Sequence, residues 1–267
     1  MNNNFYVTFL GTNGSCAYNC GSREKFGTNT LSVAVKTGDE VIIFDAGTGI
    51  CGLSELSEYE SKHKHLFLTH YHMDHIDGLL FYSDLFDPDI KIDIYGRGDV
   101  EATLNGLISP PLCPVGPEVF RANLTFHTVS EDQPITLPGE VSVKTHKLSH
   151  PGGALGCRVE YGDKSFCYCV DVELSNHKND DKLMEFFRDV DLLVLDASFA
   201  DGKVIPGWGH SSPSECAEWA AKANVSRLAL YHYNYKMTDE EIDKMEDIAM
   251  NIFPDTFAAA DGMSIEL

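Results

Sequence analysis

The chain has 267 residues, with 41 acidic against 20 basic side chains and a formal charge of −21. A protein that handles a long polyanion offers a basic face to many phosphates; here lysines and arginines are scattered, which argues against RNA or DNA as partner and permits a small phosphoester. No apolar run approaches the ~20 residues that span a bilayer, and Met1-Asn2-Asn3-Asn4 lacks the basic start and apolar stretch of a signal peptide, so a cytoplasmic protein with no membrane partner is expected.

Hydrophobic residues make up 43% of the chain, enough for a sizeable core. No linker, repeat or low-complexity tract divides it, and residues 1–267 read as one domain. Strand-like apolar runs come first at 5–10, 30–36 and 41–45, the last ending in Phe44-Asp45-Ala46-Gly47. Among eight cysteines without a Cys-x-x-Cys pair, Cys16 and Cys20 invite metal binding or oxidation, and two ordinary reduced thiols is the simpler reading. A run at 65–69 leads into a histidine cluster, and one at 91–95 precedes a helical pattern over 98–107 and the proline-rich stretch from Ser109 to Val115. Runs at 141–147, 156–161, 165–170 and 191–196 follow, with a helical pattern over 179–188. Helices are expected over 212–223, opened by Ser212-Pro213, and over 238–250, with Thr238 as cap and Asp239 and Glu240 in the first turn. Between these two a strand at 227–231 runs into His232. Strands alternating with helices imply a layered α/β fold.

The run Thr69-His70-Tyr71-His72-Met73-Asp74-His75 puts three imidazoles and a carboxylate within six residues, directly after Leu66-Phe67-Leu68. These are ligands for zinc and similar divalent ions. If the strand continues to His72, His70 and His72 project to one side, and Asp74 and His75, on the next turn, face a second point. Such a cluster suits two adjacent metals and metal-assisted hydrolysis.

The motif His-x-His-x-Asp-His resembles the signature of the metallo-β-lactamase superfamily. Asp45 after an early strand, His150 in Ser149-His150-Pro151-Gly152-Gly153, Asp171 after Cys169-Val170 and His232 after a late strand complete the pattern in order. The resemblance implies an αββα sandwich, with two sheets between helices and metals at one edge. Trp208-Gly209-His210-Ser211-Ser212, Leu10-Gly11-Thr12-Asn13-Gly14-Ser15, Phe26-Gly27-Thr28-Asn29-Thr30 and the Ser109–Val115 stretch are similar to the tRNA 3′-processing endonucleases and related phosphodiesterases. They also resemble cyclic-nucleotide phosphodiesterases of bacteria and phages, including the anti-Pycsar enzymes that destroy cyclic pyrimidine-nucleotide alarm signals.

Carried over residue by residue, the resemblance implies that His70, His72 and His150 hold one metal, that Asp74, His75 and His232 hold a second, and that Asp171 bridges them. Zinc suits these nitrogen and oxygen ligands, as do manganese and iron. Asp74 is also assigned the proton of the attacking water, and His210 the protonation of the leaving oxygen. Asp45 and Asp196 are candidates to orient metal-bound imidazoles; Ser212 and Asn29 are candidate substrate contacts, with helix cap and turn as their structural alternatives. The expected reaction is hydrolysis of a 3′,5′-cyclic nucleotide by a homodimer, the Ser109–Val115 segment being a candidate cover for the site. The alternatives are tRNA 3′ processing by the same chemistry, hydrolysis of another small ester, and nucleotide binding without turnover.

Overall fold

The computed structural model describes residues 4–19, 21–130 and 133–267. The Cys16–Cys20 pairing therefore lies outside the described residues. In chain order the first half contains β1 (Phe5–Gly11), β2 (Asn13–Gly14), β3 (Ser32–Thr37), β4 (Glu40–Phe44), β5 (His63–Phe67), β6 (Lys91–Gly96), helix α1 (Val100–Leu107) and β7 (Asn123–Thr128). The second half contains β8 (Ile135–Leu137), β9 (Val141–Leu148), β10 (Ala154–Tyr161), β11 (Lys164–Cys169), α2 (Asp181–Phe187), β12 (Leu192–Asp196), α3 (Pro213–Ala223), β13 (Arg227–Tyr231), β14 (Tyr233–Asn234), α4 (Asp239–Met250), β15 (Thr256–Ala258) and β16 (Ser264–Glu266).

Two seven-stranded sheets result, in the orders β16-β1-β3-β4-β5-β6-β7 and β15-β13-β12-β11-β10-β9-β8. Each joins antiparallel strands to a parallel set: β1, β3 and β4 pair antiparallel while β4 to β7 run parallel, and β8 to β11 pair antiparallel while β11, β12, β13 and β15 run parallel. The parallel strands read as continuous apolar runs because both their faces are covered. Leu192 to Leu195, for example, are all fully buried.

Aromatic and β-branched side chains fill the space between the sheets, with Phe5, Phe9 and Phe44 meeting Phe166, Tyr168 and Tyr231. The Phe44 ring stacks on Tyr168 with centroids 5.5 Å apart. Helices α2, α3 and α4 cover the outer face of the second sheet through Leu183, Phe187, Trp219, Ala220 and Met245. Over the first sheet the outer layer is mostly short 3₁₀ turns, such as Thr48–Glu55, with α1 beside them. The expected αββα sandwich is thus present, with one helical layer thinner than that name suggests. No helix among the described residues is long and apolar enough to cross a membrane.

All four expected helices occur, each with the local signal that starts it. Asp99 caps α1, Asp180 caps α2, and Ser212 and Thr238 open α3 and α4 with capping boxes. Strands β2, β7, β8, β14, β15 and β16 were not expected. Five of these have only two or three residues, too short for a periodicity to register. Strand β5 stops at Phe67, so the condition that it continue to His72 is not met.

At the ends of β4, β11 and β13 the backbone turns abruptly. Asp45 (φ 59°), Asp171 (φ 57°) and His232 (φ 59°) each adopt the left-handed conformation, which costs energy for any residue with a Cβ. These three turns lie on one edge of the sandwich, and all three side chains enter the same cluster.

Candidate metal centre

The cluster is built from strand ends. Past β5 the chain forms a loop and then a 3₁₀ turn, Met73–His75. This turn carries Asp74 and His75, while His70 and His72 lie on the loop rather than on the strand. His70 packs against His75 with ring centroids 4.1 Å apart, and against His72 at 4.4 Å. From the other sheet come Asp171 after β11, His150 in the β9–β10 turn and His232 after β13.

Ligand atoms of His70, His72 and His150 lie within 4.8 Å of one another, as do those of Asp74, His75 and His232. His150 Nε2 is 3.1 Å from His72 Nδ1, and His232 Nε2 is 3.5 Å from Asp74 Oδ2. Asp171 sits between the two groups. Its Oδ1 lies 3.6 Å from His150 Nε2, and its Oδ2 lies 2.7 Å from His75 Nε2 and 3.3 Å from His232 Nε2. All seven candidate ligands therefore converge on one space.

Four of the inward-facing atoms, His70 Nε2, His75 Nε2, His232 Nε2 and Asp171 Oδ2, are buried without a hydrogen-bond partner. Close as some of them are, they are not aligned to bond to each other. Orphaned buried polar atoms are costly, and four aimed at one point fit a divalent cation. The donor set of imidazole and carboxylate is that of zinc or manganese.

The outward-facing atoms are held. His75 Nδ1 meets Asp45 Oδ2 at 2.7 Å, while Asp45 also accepts the Thr69 amide at 2.8 Å and the Tyr168 hydroxyl at 3.2 Å. His150 Nδ1 donates to the Gly209 carbonyl at 3.1 Å, and His232 Nδ1 meets Ser198 Oγ at 2.6 Å. The imidazole contacts fix which nitrogen faces inward, and the Ser15 amide donates at 2.7 Å to Asp74 Oδ2, the same oxygen that faces His232. Strands β2 and β14 pair in parallel and lay Gly14 against His232, where a Cβ would come within 2.4 Å of the imidazole. Only glycine fits there.

Above the cluster sits His210, its ring centroid 5.0 Å from that of His232 and 5.3 Å from that of His150. Its Nδ1 lies 2.5 Å from Asp196 Oδ2. Asp196 thus orients His210 rather than one of the seven candidate ligands, and Ser198, which the sequence reading passed over, performs that service for His232. Asp45 meets the candidate ligand His75. The Ser212 hydroxyl is spent on Glu215 at 3.1 Å within the capping box of α3, and Asn29 is exposed in a loop, 3.4 Å from Thr48 Oγ1. Neither reaches the cluster. Also unforeseen were Glu173, whose Oε2 accepts the Gly207 and Gly209 amides at 2.8 and 3.1 Å and so shapes the loop carrying His210, and Ser211, which donates to the Val172 carbonyl at 2.6 Å.

Burial disfavours the charged form of His75, but the Asp45 and Asp171 carboxylates on either side outweigh it and raise its pKa to about 10, so a cation bound at Nε2 would displace a proton. Burial works in the same direction at His210, and Asp196 reverses it, holding that pKa above the ordinary histidine value. His70, buried and facing His75, is pushed well below it.

A family model described as the beta-lactamase superfamily domain matches residues 40–233, a span that holds all seven converging residues. The chain belongs to this superfamily, and it is a hydrolase with the metallo-β-lactamase fold, a class that binds divalent metal. The chain is 26% identical to Ribonuclease Z of Thermoplasma volcanium, the match covering 100% of this chain and 99% of that one. It is likewise 26% identical to Ribonuclease Z of Archaeoglobus fulgidus, with 98% of each covered. The first of these alignments runs to 317 positions against the 267 residues here, so at least 50 positions have no counterpart in this chain. Among solved structures, the metallo-beta-lactamase fold protein YhfI of Bacillus subtilis superposes with a TM-score of 0.77 at 19% identity, covering 99% of this chain and 100% of that one. Human tRNase Z, short form, superposes with a TM-score of 0.69 at 21% identity, covering 97% and 98%.

Proposed function

We propose that this chain is a dinuclear-metal phosphodiesterase. The observation that carries the reading is the set of four orphaned, inward-facing ligand atoms overlooked by His210, whose Nδ1 the Asp196 carboxylate holds. His70, His72 and His150 would hold one ion, Asp74, His75 and His232 the other, and Asp171 both, with zinc the metal that the donors suit best. A pair of divalent ions held there supplies positive charge to a phosphoryl group and makes water acidic enough to attack at neutral pH.

The chain's own residues do the rest. Asp74, kept ionised by its neighbouring histidines and the Ser15 amide, accepts a proton from the attacking water. His210 gives its Nε2 proton to the leaving ribose oxygen, and Asp196 holds the ring by Nδ1 and raises its pKa for that step. Asp45 holds His75 in place.

Two substrates fit this chemistry. An RNA 3′ end, as in tRNA processing, is favoured by the relatives, since those named Ribonuclease Z align along the whole chain. A 3′,5′-cyclic nucleotide, of the kind that carries antiphage signals, is favoured by the charge of −21 and by the absence of at least 50 positions present in such a relative. We carry the homodimer with either reading; exposed Leu112, in the Ser109–Val115 segment, and exposed Phe81 are apolar surface available to a second copy. The test is to incubate metal-loaded protein with a 3′-extended tRNA and with 3′,5′-cyclic AMP, GMP, CMP and UMP, beside the His72→Ala variant. Cleaved tRNA supports the first substrate and linear monophosphates the second, in either case absent with the variant. No cleavage of any phosphodiester by protein loaded with two metals overturns the reading.

A further inference from the structure

A second cluster of metal-ligating side chains lies at the other end of the first sheet. His63 and His65 are two residues apart on β5 and so share a face. Asp93 on β6 is the register partner of His65, and His127 on β7 is the partner of Tyr95. His63 and His70 are seven residues apart along β5 and the loop beyond it, roughly 20 Å at strand rise, so this group is separate from the centre described above.

Ligand atoms of His63, His65 and Asp93 lie within 4.8 Å of one another. His63 Nε2 is 2.6 Å from Asp93 Oδ2 and His65 Nδ1 is 3.9 Å from it, while His127 Nε2 is 3.3 Å from Asp93 Oδ1. Three imidazoles therefore surround one carboxylate on neighbouring strands. His65 is buried, and its other nitrogen, Nε2, lies 3.2 Å from Glu40 Oε2. That carboxylate takes the Nε2 proton and leaves the Nδ1 lone pair facing His63 and Asp93, the arrangement by which carboxylates set the tautomer of metal-bound histidines. The Tyr95 hydroxyl, 3.3 Å from Nδ1, and the Lys91 ammonium, 3.1 Å from Asp93 Oδ2, are present competitors. Lys91 is 43% exposed at its side chain and free to swing into solvent. His63 and His127, partly exposed, give an entry path.

We propose that His63, His65 and Asp93, with His127 as fourth ligand, form a binding site for a divalent transition ion such as zinc, apart from the hydrolytic centre. Two or three imidazoles and a carboxylate are a zinc donor set. Its consequence is structural: β7 is an edge strand with no buried residue, and an ion here would tie it to β5 and β6. The site does not depend on the phosphodiesterase reading.

The experiment is a zinc count per chain after metal-stripped protein is dialysed against excess zinc, comparing wild type with His63→Gln and His127→Gln. The quantity read is a difference, so occupancy of the hydrolytic centre cancels. Loss of one zinc per chain in His63→Gln, and zinc held at least tenfold more weakly in His127→Gln, is expected, together with a zinc-dependent rise in melting temperature that His63→Gln diminishes. Both positions are partly exposed, and a normal circular dichroism spectrum establishes that the variants fold. Equal zinc content in wild type and folded His63→Gln overturns the proposal.

Discussion

Asp45 shows how one buried carboxylate can set a whole site. It takes a left-handed turn at the end of β4, accepts the Thr69 amide and hydroxyl, accepts the Tyr168 hydroxyl and faces His75 Nδ1. Asp45→Asn keeps the shape and removes the charge that holds His75. Metal affinity should fall by about 10- to 100-fold, the usual cost of losing such a partner, as read by competition with a chelator; unchanged affinity would show that packing alone places the ring. His210 makes the complementary case, since it faces the cluster without joining either group of three ligands. His210→Gln should lower kcat by about 10²- to 10⁴-fold, the range for a general acid, with metal content intact. Asp196→Asn should lower kcat by less, and adding it to His210→Gln should cost little more, because Asp196 acts through that ring. Fully additive losses would separate the two. These candidate residues were legible because they stand at strand ends in a motif or as lone histidines and aspartates. Ser198, Glu173 and Gly14 were not, since each gains its task only when distant segments meet, as Gly14 does with His232.

At the scale of elements, the local signals that start helices were reliable guides and strand length was not. Ser212 and Thr238, the two caps read from the sequence, each precede a helix whose first turn they satisfy. The central strands announce themselves by continuous apolar runs because helices or the partner sheet cover both faces. The missed β7 alternates Leu124 and Phe126 with polar residues, a period-two signal present in the sequence and overlooked, whereas β8, β15 and β16 are too short to carry one. The 3₁₀ turns over the first sheet escaped notice because they lack the period of an α-helix. The two readings of Ser212 separate at this scale too. If its hydroxyl serves only the capping box, Ser212→Ala should destabilise the protein by about 1 kcal/mol in denaturant unfolding and leave kcat/KM of the folded enzyme unchanged. A tenfold fall in kcat/KM at unchanged stability would restore a substrate contact.

At the scale of the whole molecule, the charge of −21 and the family's chemistry pull in opposite directions, and where the cations sit reconciles them. Arg97, beside the His150 turn, gives its guanidinium to the Gly152 and Gly153 carbonyls at 2.9 and 2.6 Å. Arg23, behind Asn13, is fully buried and donates to Asn13 Oδ1 and the Met237 carbonyl. Both hold loops near the site and are not free to bind a strand of phosphates. The proposed ions would add positive charge at a single point, which suits one phosphodiester and not a run of them. Proteins that grip nucleic acid through six to ten phosphates lose roughly 10³- to 10⁵-fold in affinity between about 50 and 200 mM salt. Here kcat/KM, for a cyclic nucleotide or for an RNA 3′ end, should fall by less than about tenfold over that range, because few counterions are released. A steep dependence with RNA would mean that a phosphate-binding face forms elsewhere on this acidic surface, and the relatives' chemistry would then outweigh the charge in choosing the substrate.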